Sequence, residues 1–144
     1  MEIRKYNSND FEKVVEILID SFPESSSKIK DFLTCFEKLE LDINKYIQLV
    51  AIEDSTVVGY VLVTRSNDPI IGRVNYWIDY VCVDKDYRGR GFAKALLIEI
   101  EKLAQNENVL YLQLTSSRSR TVARKIYLDL GFEIRESDIF RKVM

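Results

Sequence analysis

The chain has no histidine anywhere in its 144 residues. That absence excludes a Ser-His-Asp triad, a Cys-His pair and any histidine-ligated metal. A general base must then be a carboxylate, a tyrosine, an amine or a water chain. Cysteine occurs only at Cys35 and Cys82, too few for a disulfide framework or a cysteine zinc site. No metal is expected, and a reducing cytoplasm is the expected location. No apolar run approaches the ~20 residues of a membrane span, and the opening residues Met1 to Tyr6 lack a signal-peptide core. There are no repeats, low-complexity tracts or linkers, so residues 1–144 read as one domain without a membrane partner.

What is present is ordinary for a globular chain, but its charge is uneven. Net charge is -2, yet residues 1–43 carry ten acids against six bases, and residues 85–125 carry nine bases against four acids. A basic middle suits an anionic ligand and an acidic N-terminal region a cationic one; ordinary solvated helix faces would look the same. A pI near 5.3 argues against a dedicated nucleic-acid binder.

Periodicity predicts a strand over 2–6, then a helix opened by an Asn9–Glu12 capping box and ended by Pro23. A second helix is expected over Ser27–Leu39, with Ile29, Phe32, Leu33 and Phe36 inward. Residues Tyr46–Glu53 and Val57–Arg65 read as a hairpin, followed by a loop from Ser66 to Gly72. Arg73–Val83 is the longest strand, and simple alternation puts Asn75, Trp77, Asp79, Val81 and Val83 on one face. A helix to about Asn106, a strand over Val109–Thr115 and a helix from about Ser119 to Gly131 follow. Phe132–Arg135 and Ile139–Val143 close the chain as a hairpin, and an exposed strand edge there would support a homodimer.

Between the long strand and the next helix lies Arg88-Gly89-Arg90-Gly91-Phe92-Ala93. A glycine turn leading into a helix presents bare N–H groups and the positive end of the helix dipole, a natural phosphate site. It matches neither a P-loop nor a Rossmann fingerprint, since Lys94 stands where a third glycine would be needed. Taken alone, phosphate binding and a plain tight turn both remain open.

These six residues satisfy Gln/Arg-x-x-Gly-x-Gly/Ala, and Ala123, Ile126, Tyr127, Gly131 and Phe132 form a second ordered motif. On both, the chain resembles the GNAT superfamily of acetyl-CoA-dependent N-acetyltransferases over essentially its whole length. The resemblance implies a single α+β domain with a mixed, mostly antiparallel six- to seven-stranded sheet flanked by about four helices. It implies acetyl-CoA as co-substrate, no metal, and an amine-bearing acceptor, small molecule or protein, acetylated by direct transfer in a ternary complex. A non-catalytic module sensing acyl-CoA or a metabolite is the alternative, and a nucleic-acid contact through Arg118, Arg120, Arg124 and Lys125 a third.

The resemblance assigns the pyrophosphate to the backbone of Arg88, Gly89, Arg90, Gly91, Phe92 and Ala93. It assigns Val81, Cys82 and Val83 to cofactor contact, with an N–H near Val81 polarising the thioester carbonyl. The Val81 and Val83 side chains read equally as core, and that of Cys82 reads as core because nothing nearby would activate it. Tyr127 is implied to protonate the leaving thiolate. Ordinary pKa values near 10 and 8.5 make full transfer uphill by roughly 2 kcal/mol, which favours a strong hydrogen bond or a late transfer. Asp79 is the candidate base, directly or through water, and a strand-end ion pair is its plain reading. Tyr76, Trp77 and Tyr80 either wall the acceptor pocket or pack the core. Arg120 replaces the asparagine common at its position and could meet a phosphate, an acidic substrate group or solvent.

Overall fold

The computed structural model describes residues 1–23 and 29–144. Its elements are β1 (Glu2–Lys5), α1 (Phe11–Ser21), α2 (Ile29–Leu41), β2 (Tyr46–Glu53), β3 (Thr56–Asp68), β4 (Arg73–Val83), α3 (Phe92–Asn106), β5 (Leu112–Gln113) and α4 (Thr121–Asp129). The strands lie in chain order in one sheet; the first four are antiparallel and β5 joins β4 in parallel. The mixed α+β architecture with four helices agrees with expectation. The strand number does not: the sheet has five strands, not six or seven. The expected closing hairpin is absent, and Phe140 in it is 94% exposed. Its β-branched and aromatic residues meet no neighbouring ladder, and strand propensity without a partner does not make a strand.

Alternation divides the sheet between two cores. Leu49, Val61 and Val63 face α3, where Phe92, Leu96 and Ile100 cover them. Leu96 and Ile100 are wholly buried, each worth about 2 kcal/mol of transfer free energy. Val50, Val57 and Tyr60 face α1 and α2 on the other side, against Val14, Ile17 and Phe36. On α2 the inward stripe is Phe32, Phe36 and Leu39, while Leu33 is 45% exposed. Leu33 is rotated by about 100° from Phe32 and falls off a narrow inward stripe. Ser27 and Lys28, assigned to this helix from sequence, lie outside the described residues.

The cap before α1 sits two residues earlier than the Asn9–Glu12 pair suggests. Asn7 accepts from the Asn9 amide at 2.9 Å, and Asp10 accepts from the Asn7 amide at 2.9 Å across a 3-10 turn. Asp10 wins this role because Arg4 grips it with two bonds of 2.8 and 2.9 Å. Burial pushes the Asp10 carboxyl pKa up, but the Arg4 and Asn7 bonds and the Arg4 charge together hold it below its ordinary value. A depressed folded pKa means the stabilisation is complete above about pH 4 and is lost as pH falls through the folded value. Asp10→Ala should therefore cost about 3 kcal/mol at neutral pH, read as a lower denaturation midpoint, with the gap to wild type narrowing in acid. An equal midpoint at pH 7 would show that the pair contributes nothing.

Strand β3 runs to Asp68, past the expected end at Arg65, because Ser66, Asn67 and Asp68 find ladder partners in Asn75, Val74 and Arg73. Pairing overrides their polar composition. The loop shrinks to a turn in which Gly72, at φ +65°, donates to the Asp68 carbonyl at 2.9 Å. Strand β4 has the expected limits but not the expected faces. Leu62 pairs with Tyr80 and Val63 with Ile78, so Asp79 is an extra residue, a β-bulge. The bulge reverses the alternation. Val81 and Val83 pack with Tyr76 and Ile78 on the α3 side, while Cys82 joins Tyr60 in the opposite core.

Candidate active site

The glycine turn is held in shape by backbone angles that favour glycine. Gly89 has φ +75° and Gly91 φ +88°, the left-handed region where a β-carbon is strained. A β-carbon built on either would meet nothing within 4 Å, so the turn faces open space. Ala95 is the first residue of α3 to bond back, to the Gly91 carbonyl at 3.0 Å. Among the described residues, none of the N–H groups from Gly89 to Lys94 donates to a protein acceptor, and no side chain caps the helix. These donors converge at the positive end of a fifteen-residue helix, the arrangement that suits a diphosphate. The Phe92 side chain is buried and Ala93 half-buried, so both contribute here through the main chain.

The strand leading into the turn has an open edge. Strands β4 and β5 pair only at Tyr76–Leu112 and Trp77–Gln113 and then part. The strand expected over Val109–Thr115 is thus cut to Leu112–Gln113, because its continuation has no ladder to join. Cys82 pairs with Tyr60, and the Asp84 amide donates to the Val58 carbonyl at 2.8 Å, both toward β3. Alternation therefore turns the main-chain groups of Val81 and Val83 away from β3, toward the gap. Arg88 Nε reaches the Val83 carbonyl there at 3.1 Å. The Cys82 thiol lies in the core, where burial pushes its pKa up to about 12. A thiol held that firmly protonated is no acyl-carrying nucleophile.

Helix α4 contributes Tyr127, half-buried, with its ring 6.0 Å from that of Phe132. Its hydroxyl has no hydrogen-bond partner among the described residues, and it is close enough to Arg120 and Cys82 for both to act on its ionisation. Burial raises its pKa, the Arg120 cation pulls the other way, and burial prevails. The group stays protonated, as a proton donor must.

On the face opposite α3, Asp79 enters a cavity of about 430 Å³ also lined by Thr64, Ser66, Asp68, Asn75 and Trp77. Thr64 donates to Asp79 at 2.6 Å. Burial nevertheless raises the Asp79 pKa above its ordinary value, against the lowering effect of the Thr64 bond. The strand-end ion pair considered from sequence is absent among the described residues. Of the three candidate wall aromatics, only Trp77 lines the cavity. Tyr76 is buried on the other face and bonds Glu107, and Tyr80 stacks edge-on against Phe22 at 5.1 Å. Alternation separates Tyr76 from Trp77, and the bulge at Asp79 turns Tyr80 to the Trp77 face, where it meets Phe22 instead of the cavity.

Arg120 is not simply solvated, and among the described residues it meets no acidic side chain. It donates to the Ser21 carbonyl at 2.9 Å, and its guanidinium lies 4.4 Å from the Phe22 ring centroid. Arg88 approaches Asp20 at 3.4 Å from the other side. Arginines from both flanks of the open edge thus hold the end of α1. Arg90 lies over Tyr87 and Phe92, with Glu53 at 3.6 Å. Both Arg88 and Arg90 side chains are about half exposed, and such long contacts are readily exchanged for a phosphate. The basic group Arg118, Arg120, Arg124 and Lys125 does not form one outward patch, since Arg120 turns inward and Lys125 pairs with Asp129 at 2.8 Å. Sequence reading missed the Ser21–Arg120 contact, which carries no local signal, and the β3 half of the cavity wall, which had one: polar residues at every second position, Thr64-x-Ser66-x-Asp68.

Residues 11–132 match the model of the Acetyltransferase (GNAT) family, and the chain belongs to that family. It is 35% identical over 89 residues to the L-amino acid N-acetyltransferase AaaT of Escherichia coli (strain K12), covering 60% of this chain and 53% of that protein. The chain thus spans about half the length of that relative. It superposes on a transcriptional regulator from Bacillus halodurans C-125 with a TM-score of 0.88 at 23% identity, over 99% of both chains. On the aminoglycoside N-acetyltransferase AAC(6')-Iy in complex with CoA the TM-score is 0.84 at 21% identity, over 99% of this chain and 93% of that one. At those identities the likeness is one of fold. The family is described as one of acetyltransferases. No helix among the described residues is long and apolar enough to cross a membrane.

Proposed function

We propose that this chain, acting as one domain, transfers an acetyl group from acetyl-CoA to a primary amine by direct attack in a ternary complex. The observation that carries the reading is unpaired main chain at two places close in the chain, the open edge of β4 at Val81 and the N–H groups of Gly89 to Lys94, which are free among the described residues. An extended amide-bearing arm ending in a diphosphate has the shape and the acceptors to meet both.

In this reading Val81 directs an N–H at the thioester carbonyl and stabilises the charge that develops on its oxygen. The amine attacks the carbonyl carbon, the C–S bond breaks, and the thiolate takes a hydrogen bond and then a proton from Tyr127. The proton lost by the amine goes to Asp79, directly or through water. The raised pKa of Asp79 brings it nearer to the proton it must accept, as a base working near neutrality requires.

Asp79→Asn should lower kcat/KM by about 10- to 30-fold at neutral pH, less than the loss of a proton path with no water to replace it. Asp79 is protonated below its raised pKa, so the ratio of wild type to variant should approach one in acid and grow as pH rises. A ratio independent of pH would remove Asp79 from the role of base. Thiol release from acetyl-CoA across a panel of amines tests the reaction itself; binding of acetyl-CoA with no release for any amine would favour a sensing module.

A further inference from the structure

The cavity beside Asp79 carries a second carboxylate at its far end. Asp68 lies four residues beyond Thr64 on β3, which places the two carboxylates about 13 Å apart by strand rise. Among the described residues no lysine or arginine lines the space between them, and Trp77 forms an apolar wall there. Asp68 is held in orientation rather than swinging free. It accepts from the Ile70 amide at 3.0 Å and from the Tyr111 hydroxyl at 3.3 Å. That hydroxyl is itself fixed by the Asn75 amide at 3.1 Å, and Asn75 is only 5% exposed. Two of the roughly four acceptor positions of the carboxylate stay open. Arg73, opposite Asp68 in the ladder, is exposed and makes no ion pair with it among the described residues.

We infer that the acceptor is a linear diamine or longer polyamine, with one amine at Asp79, a second ammonium at Asp68 and the methylenes along Trp77. The inference rests on the reading of this cavity as the acceptor side of an acetyltransferase. The amine at Asp79 becomes an amide and gives up its proton, and the acetyl carbon exchanges its bond to sulfur for one to nitrogen. The ammonium at Asp68 keeps its proton throughout. The product therefore retains one positive charge fewer than the substrate and binds the cavity more weakly. Eight extended methylenes hold two nitrogens about 11 Å apart, so each ammonium reaches its carboxylate with a hydrogen bond of about 2.8 Å directed mostly across the chain rather than along it. A three-carbon diamine does not reach both.

The test compares n-octylamine, 1,8-diaminooctane and 1,3-diaminopropane with wild type and Asp68→Asn, an exchange that keeps an oxygen for the Ile70 amide and presents an NH2 to Tyr111 in place of the second oxygen. In wild type the KM for 1,8-diaminooctane should be about tenfold or more below that for n-octylamine, the scale of a charge-assisted bond. The short diamine should show no such advantage. In Asp68→Asn the gap between the two eight-carbon amines should close to within about threefold. Equal KM values in wild type, or an advantage that survives Asp68→Asn, would overturn the inference. Calorimetry on the CoA-saturated protein reads the same preference without turnover. A diamine preference with no thiol release would remove the transfer reaction and keep the site, whereas transfer to both eight-carbon amines at equal KM would do the reverse.

Discussion

Gly91→Glu is expected to weaken acetyl-CoA binding by about 1000-fold while the protein still folds. Gly91 stands at φ +88° immediately before α3, and a β-carbon there points into open space. The space is free because the ligand, not the protein, would fill it. A carboxylate placed there meets the diphosphate with like charge, and its bulk blocks the N–H groups that should hold it. The backbone cost of a non-glycine residue at this φ is about 1–2 kcal/mol, enough to lower the melting temperature without unfolding the chain. Gly91→Ala separates the two effects, since it shares the strain but adds no charge and little bulk. Its affinity should fall far less than that of the glutamate variant. Affinity in Gly91→Glu close to wild type, measured by calorimetry, would remove this turn from the cofactor site.

Tyr127→Phe should lower kcat by about 100-fold and leave acetyl-CoA affinity within about threefold. The ring remains to pack against Phe132, and only the hydroxyl, the proposed donor to the departing sulfur, is lost. Burial raises the Tyr127 pKa and Arg120 lowers it, which keeps the proton in place while limiting how weak an acid the group becomes. The expected signature is a fall in kcat with KM for acetyl-CoA little changed, because the interaction is made only as charge develops on sulfur. Turnover near wild type would show that the thiolate leaves without help from this side chain.

Local chemistry made a large part of this site legible. The turn from Arg88 to Ala93 could be found because its glycines, the strand before it and the helix after it are neighbours in sequence. The same holds for the burial of Cys82 and for the limits of β2 and β4. Asp79 was identified by its place on the strand, but not the reason it leaves the ladder. One unpaired residue changed the outcome for four others, sending Val81 and Val83 to the α3 side and Tyr80 and Cys82 to the opposite one. No propensity marks such a bulge, because it is fixed by the register of β3 against β4.

The closing hairpin failed for the complementary reason. Phe132 to Val143 has the composition of strands, yet a strand needs a partner, and composition cannot say whether one is within reach. Arg120 is a third case, bonded to the carbonyl of Ser21, ninety-nine residues away in the chain. By itself the sequence marked the proposed acyl-donor side: a glycine turn suited to an anion, a tyrosine on the following helix motif, and, through the lack of histidine, a chemistry left to carboxylate, tyrosine and water. Tertiary structure decided the rest. Only the packed sheet could show that β4 and β5 part after Trp77, that two arginines hold the end of α1, and that Asp79 and Asp68 share one cavity. The physical reason is that the proposed donor site uses backbone groups close in sequence, while the proposed acceptor side is assembled from side chains that only long-range pairing brings together.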